Sequence, residues 1–277
     1  MSSIATLFPR DVVTSDTEDP GDISDLLPSE RRFVSNAVPK RIGEFAAGRR
    51  CARQAIARLG LPPVDLLVNT DRTVRWPSGL IGSITHTAGY CAVAVASSRD
   101  YVGIGLDVEQ IVAAPFEVVP QICTEPEQAW LDTLPAAVRA RLATLIFTAK
   151  ECFYKCQYCL TGTWLDFKDI QVRVDAGDFF VVSKHPVVED LQRKWTLRGR
   201  FMWCADRVVS AMVLEHEKHL DSSCTDRVKR FSRRSARPDA LSRDGDCQLH
   251  ISSPVHRASC STPRRLCNDN DRYDSPP

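Results

Sequence analysis

Three short segments of this 277-residue chain carry side chains that, brought together, would perform metal-assisted phosphoryl transfer: Thr85-His86, Asp107-Val108-Glu109, and Lys150-Glu151 with Lys155. Asp107, Glu109 and Glu151 would supply three carboxylates to a hard divalent cation such as Mg²⁺, which shares its coordination between carboxylates, phosphate oxygens and water. Lys150, Lys155 and His86 would supply donors and positive charge to a polyphosphate. Side chains alternate along a strand, so Asp107 and Glu109 share a face about 7 Å apart and can converge on one ion. Each fragment also has a plain alternative. The two acids could be a solvated strand edge, Glu151 and Lys155 an ordinary i,i+4 surface pair, and His86 a structural histidine. Arg41 and Arg49 lie two helical turns apart and suit multi-oxygen phosphate recognition, or else form a solvated basic face.

The elements that must hold these groups are legible from periodicity. Apolar residues Ile42, Phe45, Ala52, Ile56 and Leu59 trace one stripe of a helix over 38–60, which Leu61-Pro62-Pro63 ends. Strands are predicted at 80–85, 90–97 and 101–109. In the last of these, Tyr101, Gly103, Gly105, Asp107 and Glu109 would line one face, and Val102, Ile104, Leu106 and Val108 a core-facing one. The two glycines leave room beside the acids for a ligand or another backbone. A second long helix is predicted over 136–160, with Val138, Leu142, Leu145, Ala149, Phe153, Cys156 and Leu160 inward and Thr148, Glu151 and Lys155 on the opposite face. Gly162 lies just beyond its end. Strands follow at 169–174, 178–183, 196–204 and 207–214. The order helix–strands, helix–strands predicts an α+β fold of two similar halves, 1–112 and 113–217, although no strong internal sequence repeat is visible. From about Glu215–Leu220 the composition turns to Ser, Arg, Asp and Pro, and 218–277 reads as a mostly disordered tail.

Bulk composition narrows the function. Lys and Arg total 36 against 35 Asp and Glu, a net charge of +1, which argues against a nucleic-acid binder held by net charge. No apolar run is long enough to span a membrane, and the first residues lack the features of a signal peptide. The 11 cysteines, scattered through amphipathic segments, read as free thiols of a cytoplasmic protein rather than a disulfide framework.

Taken in order, Pro39-Lys40-Arg41…Glu44-Phe45-Ala46-Ala47-Gly48-Arg49, Trp76-Pro77-Ser78-Gly79…Gly82-Ser83-Ile84-Thr85-His86-Thr87-Ala88-Gly89-Tyr90, Gly103-Ile104-Gly105-Leu106-Asp107-Val108-Glu109 and Phe147-Thr148-Ala149-Lys150-Glu151-Cys152-Phe153-Tyr154-Lys155 resemble the motif series of the 4′-phosphopantetheinyl transferases. The likeness is to the branch of the enterobactin-synthase component D enzymes and covers roughly residues 25–215. It implies an enzyme that moves the phosphopantetheine arm of coenzyme A to a serine of an acyl or peptidyl carrier protein. 3′,5′-ADP would be released, in siderophore or other secondary-metabolite biosynthesis. It further implies that Arg41, Arg49 and His86 hold the coenzyme A phosphates with help from Thr85. The turn Asp71-Arg72-Thr73-Val74 would meet the adenine end, largely through its backbone. Asp107, Glu109 and Glu151 would bind Mg²⁺, and Lys155 the pyrophosphate. Glu151 is the preferred general base and Glu109 the second choice. The chain would act as a monomer, with its site between the two halves.

Other readings compete. Cys152, Cys156 and Cys159 match the C-x₃-C-x₂-C pattern of radical S-adenosylmethionine enzymes, but inside a helix-periodic run. Residues seven apart on a helix are about 10 Å apart along its axis, too far for one compact cluster. A metal-dependent nuclease would want a lysine two residues after the second acid, where Ile111 stands. A non-catalytic coenzyme A binder would have no need of all three acids and Lys155.

Overall fold

A computed structural model describes residues 3–111 and 119–216. The expected tail, 218–277, lies outside them. Its elements are β1 (Val13–Thr17), α1 (Pro28–Arg31), α2 (Pro39–Arg58), β2 (Leu80–Thr87), β3 (Tyr90–Ser97), β4 (Tyr101–Gln110), α3 (Val119–Ile122), α4 (Glu125–Asp132), α5 (Ala136–Thr161), β5 (Gln171–Asp175), β6 (Asp178–Val182), α6 (Pro186–Lys194), β7 (Arg198–Trp203) and β8 (Arg207–Glu215). They form an α+β fold on two antiparallel sheets, ordered β1-β3-β2 and β4-β8-β7-β6-β5. α2 packs on the first sheet, burying Ala52, Ala55 and Ile56 against Val93 and Val95. α5 packs on the second, burying Ala149, Cys152, Phe153 and Cys156 against Val172, Phe179 and Met212. Gly162 closes α5 in the left-handed region, with φ at 59°, and its N–H returns to Tyr158 O. None of the described helices is long and apolar enough to cross a membrane.

The strand carrying the acids is the hinge of this architecture. β4 hydrogen-bonds to β8, the last strand among the described residues, pairing Asp107 with Ser210 and Glu109 with Val208. Its other edge faces β2, and there hydroxyls do the joining. Leu106 N–H donates to Ser83 Oγ at 3.0 Å, and Val108 N–H to Thr85 Oγ1 at 3.3 Å. Alternate residues of β2 therefore fasten the two sheets together.

The expected alternation of β4 holds from Gly103 onward and fails at its start. A register shift between Tyr101 and Gly103 turns Tyr101 to the side of Ile104, Leu106 and Val108, and its hydroxyl donates to Asp11 at 2.7 Å. The space left by Gly103 and Gly105 is filled by the backbone of α5. A Cβ on Gly105 would lie 2.0 Å from Cys152 O, and one on Gly103 2.8 Å from Cys156 O. Gly105→Ala should therefore cost about 3 kcal/mol or more, as overpacking against backbone with no room to yield. A fall in the chemical-denaturation midpoint would show it, and an unchanged midpoint would contradict this contact.

α5 differs from the expectation in how many sides it buries. Thr148, assigned to the wet face, is fully buried and donates to Thr144 O, whereas Val138 and Leu160, assigned to the core, are 41% and 36% exposed at the two ends. The helix runs unbroken through Cys152, Cys156 and Cys159. Cys152 and Cys156 lie in the core and Cys159 is exposed, so the cluster reading fails for the reason its helical spacing suggested.

The similarity of the halves, invisible as a sequence repeat, is concrete in one buried construction built twice. Glu30, near the start of α1, has no exposure. It accepts from Leu27 N at 2.9 Å, from Leu66 N at 2.9 Å and from Arg53 of α2 at 2.8 and 2.9 Å. Glu127, in the first turn of α4, is 2% exposed. It accepts from Thr124 N at 2.6 Å, from Val172 N at 2.6 Å and from Lys150 of α5 at 2.8 Å. The cation stands 23 residues after the glutamate in both (30 to 53, 127 to 150). Each glutamate caps its own helix, ties it to the long helix of its half, and fixes the segment that follows that helix.

Candidate active site

Lys150 belongs to this framework. Its ammonium also donates to Ile122 O at 2.9 Å and Phe167 O at 2.7 Å, and it has no exposure. Burial draws its pKa down against the opposing pull of Glu127. It is therefore corrected from a phosphate ligand to a strut, and its work is to fix the turn of α5 that presents Glu151.

Asp107 is the centre of the site. It is 3% exposed, and its Oδ1 accepts from Lys155 Nζ at 2.6 Å and Thr85 Oγ1 at 3.0 Å. Its Oδ2 is buried with no hydrogen-bond partner among the described residues, and so is Ser210 Oγ, across the strand pair. An ionised carboxylate rarely leaves a buried oxygen unsatisfied, because the cost is that of desolvating the group. Burial alone would draw the Lys155 ammonium down. Asp107 and then Glu151, the hydrogen bond to Asp107, and Glu109 outweigh it and raise it. All three acids thus act on one lysine. No three His, Cys, Asp or Glu side chains among the described residues are assembled as a ready metal cage; the cation seated against Asp107 is Lys155 itself. The donor set nevertheless fits a hard divalent ion: carboxylates of one strand and one helix, and a buried oxygen awaiting a partner.

Beside it, at the end of β2, His86 Nε2 lies 3.2 Å from Arg41 Nη1 of α2. His86 Nδ1 lies 3.8 Å from Glu44 Oε2. Arg41 is itself 3.9 Å from the same carboxylate. Arg41 and His86 are thus brought together beside Glu44. Arg49 is not on that surface. It is 4% exposed, its Nε donates to Leu66 O at 2.7 Å, and its guanidinium stacks 4.1 Å over the Phe45 ring. Burial, partly offset by Glu30, brings its pKa down to about 10.

The turn 71–74 is the tip of a small hairpin closed by the Val68–Val74 bridge, with Arg72 at φ 69°. Asp71 Oδ1 accepts from Thr73 N at 3.0 Å and Thr73 Oγ1 at 2.6 Å, bonds that hold its carboxyl below the usual range. These side chains are engaged within the turn. Asp71 also lies close enough to the end of α5 to help raise the Cys159 thiol, after burial. Contacts thus run from α2 to β2 through Arg41 and His86, from β2 to β4 through Thr85 and Asp107, and from β4 to α5 through Asp107 and Lys155. Sequence reasoning missed Ser83, Ser210, Glu44 and Glu30. Only Glu44, one turn from Arg41, and Glu30, three residues after the helix-capping position, carry a readable signal.

Residues 29–96 match the 4′-phosphopantetheinyl transferase N-terminal domain and residues 103–210 the 4′-phosphopantetheinyl transferase superfamily. The chain belongs to this superfamily and is an enzyme of the transferase class. Over 182 residues it is 41% identical to the 4′-phosphopantetheinyl transferase Svp of Streptomyces mobaraensis, covering 64% of this chain and 74% of that one. It is 34% identical over 206 residues to PptT of Mycobacterium tuberculosis, covering 68% and 86%. Against enterobactin synthase component D of Salmonella typhimurium it is 36% identical over 135 residues, covering 47% and 53%.

Proposed function

We propose that this enzyme transfers the phosphopantetheine arm of coenzyme A to a serine of an acyl or peptidyl carrier protein, using Mg²⁺. The observation that carries this reading is the buried Asp107 carboxylate, one oxygen held by Lys155 and Thr85 and the other unpartnered. Asp107, Glu109 and Glu151 would hold the ion, joining the two halves, 1–112 and 113–217, at the site. When bound, Mg²⁺ would neutralise charge growing on the pyrophosphate. Lys155 is tethered beside the acids and would move to a pyrophosphate oxygen. Arg41 and His86 would bind a phosphate of the nucleotide portion, with the turn 71–74 near the base. The carrier serine Oγ would attack the β-phosphorus while the bond to the leaving 3′,5′-ADP breaks. Glu151 would take the serine proton, directly or through water, since a hydroxyl is a weak nucleophile without a base. The remaining work is positioning and charge, which dominates phosphoryl-type transfer.

The expected result is that 3′,5′-ADP release, followed by chromatography, requires coenzyme A, Mg²⁺ and an apo carrier together. Release without carrier, or none with several carriers, would overturn the reading. Arg49→Ala should raise the KM for coenzyme A about tenfold, the loss of one charge-assisted hydrogen bond, while lowering kcat much less. Its effect would pass largely through Leu66, whose carbonyl loses its donor. An unchanged KM would show that the Arg49–Leu66 bond has no bearing on coenzyme A binding.

A further inference from the structure

We infer that Glu30 is a positioning residue for the nucleotide end of coenzyme A. The inference rests on the proposed function and concerns how its grip on the nucleotide is set. The peptide groups of Leu66 are held from two directions. Its N–H donates to Glu30 Oε1 at 2.9 Å, and its C=O accepts from Arg49 Nε at 2.7 Å. Leu66 has no exposure, and the hairpin opens at the next residue, where Leu67 O accepts from Arg75 N at 2.8 Å. Val68 bridges Val74, and Asn69 and Thr73 close the tip around Asp71 and Arg72. Leu66 is therefore the fixed point from which the turn 71–74 extends, and the same peptide anchors the buried Arg49. Glu30 is itself immobilised by two bonds from Arg53 and one from Leu27 N–H. A rigid carboxylate thus transmits the placement of α2 to the turn.

The second copy of the construction separates positioning from mere stability. Glu127 pins Val172 N–H in the same way, at the start of β5, where no proposed ligand group follows. Both glutamates should support the fold, but only Glu30 should tune nucleotide affinity.

The test is calorimetric titration of 3′,5′-ADP into the full chain and its variants, with kcat and KM for coenzyme A measured alongside. Glu30→Gln should weaken 3′,5′-ADP and raise KM by about tenfold, the factor expected for loss of a charge-assisted hydrogen bond, with kcat at saturating coenzyme A little changed. Glu30→Asp keeps the charge beside Arg53 and withdraws the oxygen from Leu66, so it should show the same split if Glu30→Gln does not fold. Glu127→Gln should lose comparable stability with 3′,5′-ADP affinity retained. In the unaltered chain, 3′,5′-ADP should slow hydrogen exchange at the Leu66 amide. Wild-type affinity in a folded Glu30 variant, an equal loss in Glu127→Gln, or unchanged Leu66 exchange on binding would overturn the inference. His86→Ala distinguishes the two levels of the argument. If it loses 3′,5′-ADP while the Glu30 variants keep it, the positioning role alone fails. If the unaltered chain does not bind 3′,5′-ADP, the reading of the site fails with it.

Discussion

Asp107→Ala should abolish transfer at every Mg²⁺ concentration, a loss on the order of 10³-fold or more, as expected when a preorganised electrostatic group is removed from a phosphoryl-transfer site. Two effects combine. The buried oxygen that would meet the ion is gone, and Lys155 loses the carboxylate that holds it 2.6 Å away. Because removing one partner of a buried pair also destabilises, Asp107→Asn is the cleaner variant. It keeps the shape and can still accept from Thr85, but supplies no charge. Thermal denaturation separates loss of fold from loss of chemistry. A folded Asp107→Asn protein that transfers at wild-type rate would remove Asp107 from the site.

Glu151→Ala should have the next largest effect, at least about 10²-fold, the scale of losing a general base, and more if the metal also depends on it. Glu151 is half-buried on α5, directly after the Lys150 strut. Its loss leaves the Glu127–Lys150 bonds in place, so the fold should survive. Excess Mg²⁺ should not restore the rate. Glu151→Asp, with a carboxylate set back by one methylene, should recover part of it. Full activity in Glu151→Ala would transfer the base role to Glu109, and retained activity in both the Asp107 and Glu151 variants would sink the site as drawn.

Much of this arrangement was legible in the residues, for identifiable reasons. α2, α5 and the strands from β2 to β8 are built largely of buried apolar residues, so apolar runs and spacing located them within a few residues. β1, Val-Thr-Ser-Asp-Thr, shows almost no apolar alternation because it is a short edge strand. α1 and α4 are short and held by side chains. Their signal was the glutamate three residues past the helix boundary, at Glu30 and Glu127, rather than any stripe. The repeat was hidden because its members differ in kind, Arg53 against Lys150. The neighbours diverge further, with Gln54 where the second half has Glu151 and Arg58 where it has Lys155. Arg58 there donates to Thr14 O at 2.7 Å. The scaffold is thus repeated, while the Glu151 acid and the Asp107-bound Lys155 occur in one half.

Residue type suggested the chemistry, but depth decided the roles. Lys150 and Lys155 are equally cationic in the sequence. Three acceptors, Ile122 O, Glu127 Oε2 and Phe167 O, turn the first inward, whereas the second points along the β4 acids. Arg41 and Arg49 share a helical face, yet Arg49 is covered by Phe45 and the Leu66 segment and Arg41 reaches His86. No periodicity distinguishes such pairs, because the covering segments come from distant sequence.

The most direct measurement is intact mass spectrometry of an apo carrier protein incubated with this chain, coenzyme A and Mg²⁺, beside a sample containing EDTA. The account predicts a gain of about 340 Da, the phosphopantetheine arm, only where the metal is free to act. No gain across several carriers, or an equal gain in EDTA, would contradict it.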